Sequence, residues 1–194
     1  MNLFAAPTIT TASPLNRRHS LRWLGAAVAG AAGLPSMGWA SDFEDYSRAL
    51  VSDNSSTMVN LMFRGFDANT LDSRGRPGLV AALHQDSLKV FDVLLKAPKI
   101  DVNLASRQNE TPLMMACIKG HLKLAKELIK RGADVNREGW TPLHYAASAG
   151  SPQHAVIISL LLENHAYIDA ASPNGTTPLM MAAHYGSIEA EHPL

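Results

Sequence analysis

Between Leu113 and Asn136 the apolar residues recur at helical spacing rather than in strand-like alternation. Leu113, Ala116 and Cys117 fall about one turn apart, and Gly120 is placed to end that short helix. A second run starts near Leu122, with Leu122, Ala125, Leu128 and Ile129 on one face. Lys123, Lys126, Glu127 and Lys130 lie on the other, so the run predicts an amphipathic helix. Gly132-Ala-Asp-Val-Asn136 then predicts a left-handed turn into an extended finger. Upstream, Thr111 can accept a backbone N–H as an N-cap, and Pro112 sits where the first turn has no donor to lose.

The same frame fits other parts of the chain. Leu88, Phe91, Leu94 and Leu95 predict one buried face, and Ile157, Leu160, Leu161 and Leu162 another. Phe66-Asp-Ala-Asn69, Ile100-Asp-Val-Asn103 and Ala166-Tyr-Ile-Asp169 each follow an apolar helix, the last departing from the Asp-x-Asn form. Phe43 to Val51 and Thr57 to Phe63 predict two further helices without a Thr-Pro-Leu opening, as expected of an N-terminal capping unit.

Each unit opens alike. Thr111-Pro-Leu-Met-Met-Ala116, Thr141-Pro-Leu-His-Tyr-Ala146 and Thr177-Pro-Leu-Met-Met-Ala182 are near copies, and Pro77-Gly-Leu-Val-Ala-Ala82 is a degenerate one, at spacings of 34, 30 and 36 residues. A unit of about 33 residues opening Thr-Pro-Leu-His-x-Ala resembles the ankyrin repeat. The resemblance covers roughly residues 42–190 and implies an all-α repeat solenoid of helix-turn-helix units with hairpin fingers, about four full repeats and a truncated fifth. The expected units are about 42–76, 77–110, 111–140, 141–176 and 177–194, the last incomplete, within a repeat domain of 41–194. The short spacing clips the finger after Asn136 to a tight turn at Glu138-Gly139. The long one adds about three residues near Ser151-Pro-Gln-His154, expected to lengthen a joint between helices. An extra residue near Pro98-Lys99 accounts for the spacing of 34.

The first forty residues read as an address. No Asp or Glu precedes Asp42, while Arg17, Arg18 and Arg22 stand ahead of a Gly/Ala-rich apolar stretch from Leu24 to Leu34. Gly38-Trp39-Ala40 supplies small residues where a signal peptidase reads, so cleavage is expected after Ala40. Arg17-Arg-His-Ser-Leu-Arg22 resembles a twin-arginine export motif, with Ser20 where an aromatic is usual. The general secretory route and a retained signal anchor stay open, although glycines and Pro35 make Trp23 to Ser41 a poor spanning helix. With this segment the chain is similar to exported bacterial ankyrin-repeat proteins, which implies a periplasmic or secreted location and no stable membrane anchor after cleavage.

Charge narrows the partner class. The chain carries 17 basic and 17 acidic residues; residues 1–40 hold three of the basic ones and no acid, which leaves 14 − 17 = −3. That balance argues against nucleic acid. Lys119, Lys123, Lys126, Lys130 and Arg131 cluster as a solvated helix face. Among eight histidines, His144 and His121 stand at helix openings, where bracing of neighbouring backbone is expected. Cys117 is the single cysteine and reads as a small core filler. No Cys-x-x-Cys, His-x-x-x-His or Gly-rich phosphate loop appears, and nothing in the repeat register brings a nucleophile to a base. No catalytic, metal or cofactor residue is therefore expected.

In ankyrin-like stacks, contacts come from finger tips and the exposed ends of first helices. The resemblance places partner contacts at Arg74, Arg76, Arg107, Gln108, Glu110, Ile118, Lys119, Glu138, Trp140, Ser148, His184 and Tyr185. Trp140 is either a hot-spot anchor or a residue packed on the neighbouring finger. Met114-Met115 and Met180-Met181 are expected to divide between core and helix joint. After Ala190 the chain reads Glu191-His-Pro-Leu194, and Pro193 stops a second helix there. Apolar surface on the fourth helix pair is then uncovered, by truncation or as an edge completed by a partner or second copy, so self-association is an expectation. The expected function is a non-enzymatic scaffold that binds a partner protein in the periplasm. A second reading makes it a chaperone-like or inhibitory module for one exported enzyme.

Overall fold

The computed structural model describes residues 37–185. The export motif at Arg17 and Arg18, most of the expected signal segment, and the tail with Pro193 lie outside the described residues. Threonine sets the start of three inner helices. Thr111 Oγ1 accepts the Met114 N–H at 3.3 Å, Thr141 Oγ1 the His144 N–H at 3.5 Å, and Thr177 Oγ1 the Met180 N–H at 3.3 Å. Each precedes a proline whose missing N–H costs nothing in the first turn. These caps open α5 (Pro112–Ile118), α7 (Pro142–Ala147) and α9 (Pro178–Tyr185).

The degenerate copy opens α3 (Gly78–His84) without a side-chain cap. Its glycine has another use. A Cβ on Gly78 would sit 2.8 Å from the Tyr46 hydroxyl and 3.0 Å from Leu94 Cδ1. Tyr46 belongs to α1 (Met37–Ser52), and its hydroxyl donates to the Thr70 carbonyl at 2.8 Å. Gly78 thus lets the first two units close on each other. Ala40, the expected cleavage position, lies in the first turn of α1.

The remaining helices are α2 (Ser55–Phe63), α4 (Leu88–Leu95), α6 (Leu122–Lys130) and α8 (Pro152–Glu163). Within each unit the first helix packs on the second, and α1, α3, α5, α7 and α9 pack in series, with α2 on α4 and α6 on α8 beside them. The core is a ribbon running along this series. Leu79, Leu83, Phe91, Leu94, Leu113, Met114, Leu128, Ile157 and Leu161 are buried in it, each stabilising the folded state by about 1.5–3 kcal/mol. Met114 and Met115 are both core residues. Cys117 is buried too, and burial pushes its thiol well above the ordinary range, so it packs and does not react.

Two expected core residues are exposed instead. Leu162 follows Leu161 by one residue, about 100° around the helix from the buried stripe, and is 39 % exposed. Leu88 is 37 % exposed because the buried stripe of α4 centres on Val90, Phe91 and Leu94, which puts Leu88 at its edge. The extra residues near Ser151 also differ from expectation. They lengthen α8 by a turn at its N-terminus: α8 has 12 residues against 8 in α4 and 9 in α6. His154 in that turn accepts from Ser151 Oγ at 2.6 Å and donates through Nε2 to the Ile118 carbonyl at 3.0 Å.

Asparagine locks the bases of the fingers. Asn69 donates its amide to the Lys99 carbonyl and accepts the Asp101 N–H, at 2.9 and 2.8 Å. Asn103 does the same with Gly132 and Asp134, at 3.0 and 2.8 Å. Asn136 repeats it with His165 and Tyr167, at 2.6 and 2.8 Å. The residue at the next equivalent position is Asp169, which lacks the amide donor. The fingers themselves are turns, with a single β-bridge between Leu71 and Pro77 among the described residues.

Candidate partner-binding surface

One polar side chain organises each of the first two finger tips. In the first, Asp72 Oδ1 accepts the N–H groups of Arg74 and Arg76, both at 2.9 Å. Its Oδ2 takes Arg76 Nε at 2.8 Å and Nη2 at 2.7 Å. Burial opposes ionisation of Asp72, but the backbone and guanidinium bonds from Arg76 outweigh it and hold the carboxyl below its ordinary value. Arg76 is therefore not the surface contact the sequence suggested. It is 8 % exposed and serves as the tip's internal counter-ion. Arg74, two residues earlier, is exposed.

In the second finger Ser106 Oγ accepts the Gln108 and Glu110 N–H groups, both at 3.2 Å, and donates to Glu110 Oε2 at 3.3 Å. The same carboxylate oxygen meets His84 Nε2 at 3.3 Å. Glu110 is thus partly withdrawn into a link between its finger and α3. The serine bonds the carboxylate and not the imidazole. Tyr145 stands near this group, its phenol raised by burial and then by the Glu110 charge. Arg107 is exposed along its length and crosses Gly75 of the first finger, where a Cβ would lie 2.4 Å from Arg107 Nε.

The clipped third finger puts Gly139 at φ 87°, as its shortness requires, and leaves Glu138 exposed. Trp140 is half-buried and meets the His144 ring edge-on, with centroids 5.3 Å apart. It packs on the opening of its own helix. His144 acts as expected: Nδ1 accepts the Thr141 N–H at 3.2 Å, and Nε2 donates to the Thr176 carbonyl of the next finger at 2.9 Å. A carbonyl can only accept, which fixes the proton on Nε2.

At the helix ends Lys119 also proves structural. Its Nζ meets both Asp86 carboxylate oxygens at 2.8 Å and the His84 carbonyl at 3.3 Å, tying two units together. The hydrogen bond from Lys119 holds the Asp86 carboxyl below its ordinary value. His121 is the N-cap residue of α6, with Nε2 3.6 Å from Asp86 Oδ1. Ile118 is exposed and Ser148 half-buried beside these residues. His184 and Tyr185 stack at 4.6 Å and are exposed at the end of α9.

The tips of three successive fingers therefore carry Arg74, Arg107 and Glu138, with Trp140 beside them. The inner-helix ends carry Ile118, Ser148 and the stacked pair. Sequence reasoning missed Arg137 and Tyr145. Arg137 Nη2 donates to Asn109 Oδ1 of the preceding finger at 2.6 Å, a cross-finger contact that only the clipped loop makes possible. Tyr145 stands where Met115 and Met181 stand in the sibling motifs, and that substitution was the available signal. A separate cleft of about 570 Å³ lies between α1 and α2, with Asp45, Arg48, Asn54, Phe63 and Arg64 in its walls. It contains none of the expected contact residues. Among the described residues no group of three or more His, Cys, Asp or Glu could hold a metal, and no helix is long and apolar enough to cross a membrane.

The chain matches the family model described as Ankyrin repeats (3 copies) over residues 48–138 and 136–191, more than half its length. It is 42 % identical over 91 residues to Protein fem-1 homolog A-like of Mus musculus, covering 45 % of this chain and 13 % of that protein. To neurogenic locus notch homolog protein 1 of Homo sapiens it is 34 % identical over 119 residues, 60 % of this chain and 4 % of that protein. To the ankyrin repeat protein YahD of Escherichia coli (strain K12) it is 35 % identical over 133 residues, 65 % of each chain. The chain thus spans small fractions of the first two relatives and just under two thirds of the third.

Proposed function

Because this chain belongs to the ankyrin-repeat family, whose members are generally non-enzymatic protein-binding modules, we propose that it is exported to the periplasm and grips one protein partner there. The contact face would be the finger tips together with the inner-helix ends. The observation that carries this reading is the contrast within each finger. The bases are cross-locked by Asn69, Asn103 and Asn136, while Arg74, Arg107 and Glu138 stand exposed at the tips. Side chains on a pre-locked backbone bind with less ordering cost. Trp140, half-buried and fixed against His144, is the aromatic placed to act as an anchor.

Two experiments test it. Residues 1–40 fused to a reporter that works only outside the cytoplasm should give activity, and Arg17→Lys with Arg18→Lys should abolish it; an unaffected reporter would remove the twin-arginine route. Residues 41–194 carrying a photo-crosslinker at position 107 or 138 should trap a discrete periplasmic protein. Arg107→Ala with Trp140→Ala should reduce that capture at least tenfold with the helical content unchanged. Equal capture by the variant would remove this face.

A further inference from the structure

The charges of the fingers are segregated along their length. Asp67 and Asp101 lie at the bases, where their carboxylates accept the N–H groups of Asn69 and Asn103 at 2.9 Å. The tips hold the arginines. Asp72 is consumed by Arg76, and Glu110 is held by His84 and Ser106. Arg74, Arg107 and Arg137 remain, and among the described residues no ion pair engages any of them. Against these three guanidinium groups the tips offer one unpaired carboxylate, Glu138.

Their placement follows a rule. The third residue after the organising position of a finger has positive φ: Gly75 at 74° and Asn109 at 65°. Each is covered by the arginine of the next finger, Gly75 by Arg107 and Asn109 by Arg137. Gly139 is covered in the same way by Pro173, whose Cγ would be 3.7 Å from an added Cβ. Arg107 thus lies across the tip that carries Arg74, and Arg137 reaches the tip that carries Arg107, with no carboxylate paired to any of the three among the described residues. Like charges on neighbouring tips repel, which costs stability unless an anion joins them.

We infer that the row Arg74–Arg107–Arg137 is a docking strip for an extended acidic segment of a partner protein. Packed units repeat at about 8–10 Å, and an extended polyproline-II chain advances about 3.1 Å per residue with about three residues per turn. Carboxylates on every third residue of such a segment fall on one face and meet successive arginines. The guanidinium fork suits a carboxylate in two-point contact. This inference rests on the scaffold reading and adds the chemistry of what is gripped.

The test uses the full chain and an octaglutamate peptide carrying a terminal fluorophore. Binding should be measurable by anisotropy at 50 mM salt and weaken about tenfold at 200 mM. Arg74→Ala with Arg107→Ala should weaken it at least tenfold, while Lys126→Ala with Lys130→Ala on α6 should leave it within twofold. Circular dichroism on both variants checks that the helices persist. Equal affinity for the arginine variant would overturn the inference, as would equal loss in the lysine control. Tighter binding of an oligonucleotide of the same charge would overturn it too. If octaglutamate fails while crosslinking at position 107 still traps a protein, the strip is wrong and the scaffold stands. If octaglutamate binds while nothing is trapped, the scaffold reading is the one that falls.

Discussion

His165 adopts φ 64°, the left-handed conformation that Gly65 and Gly132 hold at the ends of α2 and α6. Its side chain makes no hydrogen bond that repays the strain; the Asn136 amide uses its backbone carbonyl. His165→Gly is therefore expected to stabilise the chain by about 0.5–1 kcal/mol in urea unfolding. Asp72 makes a prediction of opposite character. Its folded pKa lies below the ordinary 3.8, so its contribution is fully present above that value and is lost as pH falls through the folded one. Between pH 5 and pH 2 the Arg74 and Arg76 amides should lose exchange protection, and Asp72→Asn should remove that pH dependence while lowering protection at pH 5. Constant protection across the range would show that the Arg76 pair does not hold the tip.

At the scale of elements, the asparagine locks join unit to unit through two bonds each. Asn103→Ala strands the Gly132 carbonyl and the Asp134 N–H and should cost about 1–3 kcal/mol. Asn103→Asp keeps the acceptor but sets a carboxylate against the Gly132 carbonyl, so it should cost at least as much near neutral pH and recover in part when protonated. A smaller cost for aspartate than for alanine would mean that the donor half of the lock is idle. The helices and their order were legible because Thr111, Pro112 and their copies are local signals that act through their own turn. His144 was legible for the same reason. Arg76 and Lys119 were misread because their partners, Asp72 and Asp86, are chosen by turn geometry and by the adjoining unit. Leu162 was misread because a run of leucines hides which of them faces inward. The added turn of α8 was missed because Ser151-Pro-Gln-His154 was read as a joint between helices, whereas Pro152 begins one.

For the whole molecule, exposed apolar side chains gather at both ends, with Trp39, Val51 and Phe63 on the first helix pair and a second group at the last. Tyr167, Ile168, Leu179 and Met180 are all exposed there, Leu179 by 75 %. Helix α9 packs chiefly against α7 among the described helices. Amide exchange across Pro178–Tyr185 should therefore be faster than across α5 and α6. Equal protection in a monomer would mean that something covers the end. Sedimentation that shifts with concentration, and loses the shift in Leu179→Gln with Met180→Gln, would identify a second copy as the cover.

Asp169 carries a consequence for how such an array grows. Any unit grafted beyond α9 would present its own carbonyl and N–H to residue 169, and the carboxylate can answer only the second. A single change, Asp169→Asn, would restore the missing proton donor and let this base be locked as the three before it are. A designer could then tighten or loosen one joint of the stack by choosing between an acid and its amide.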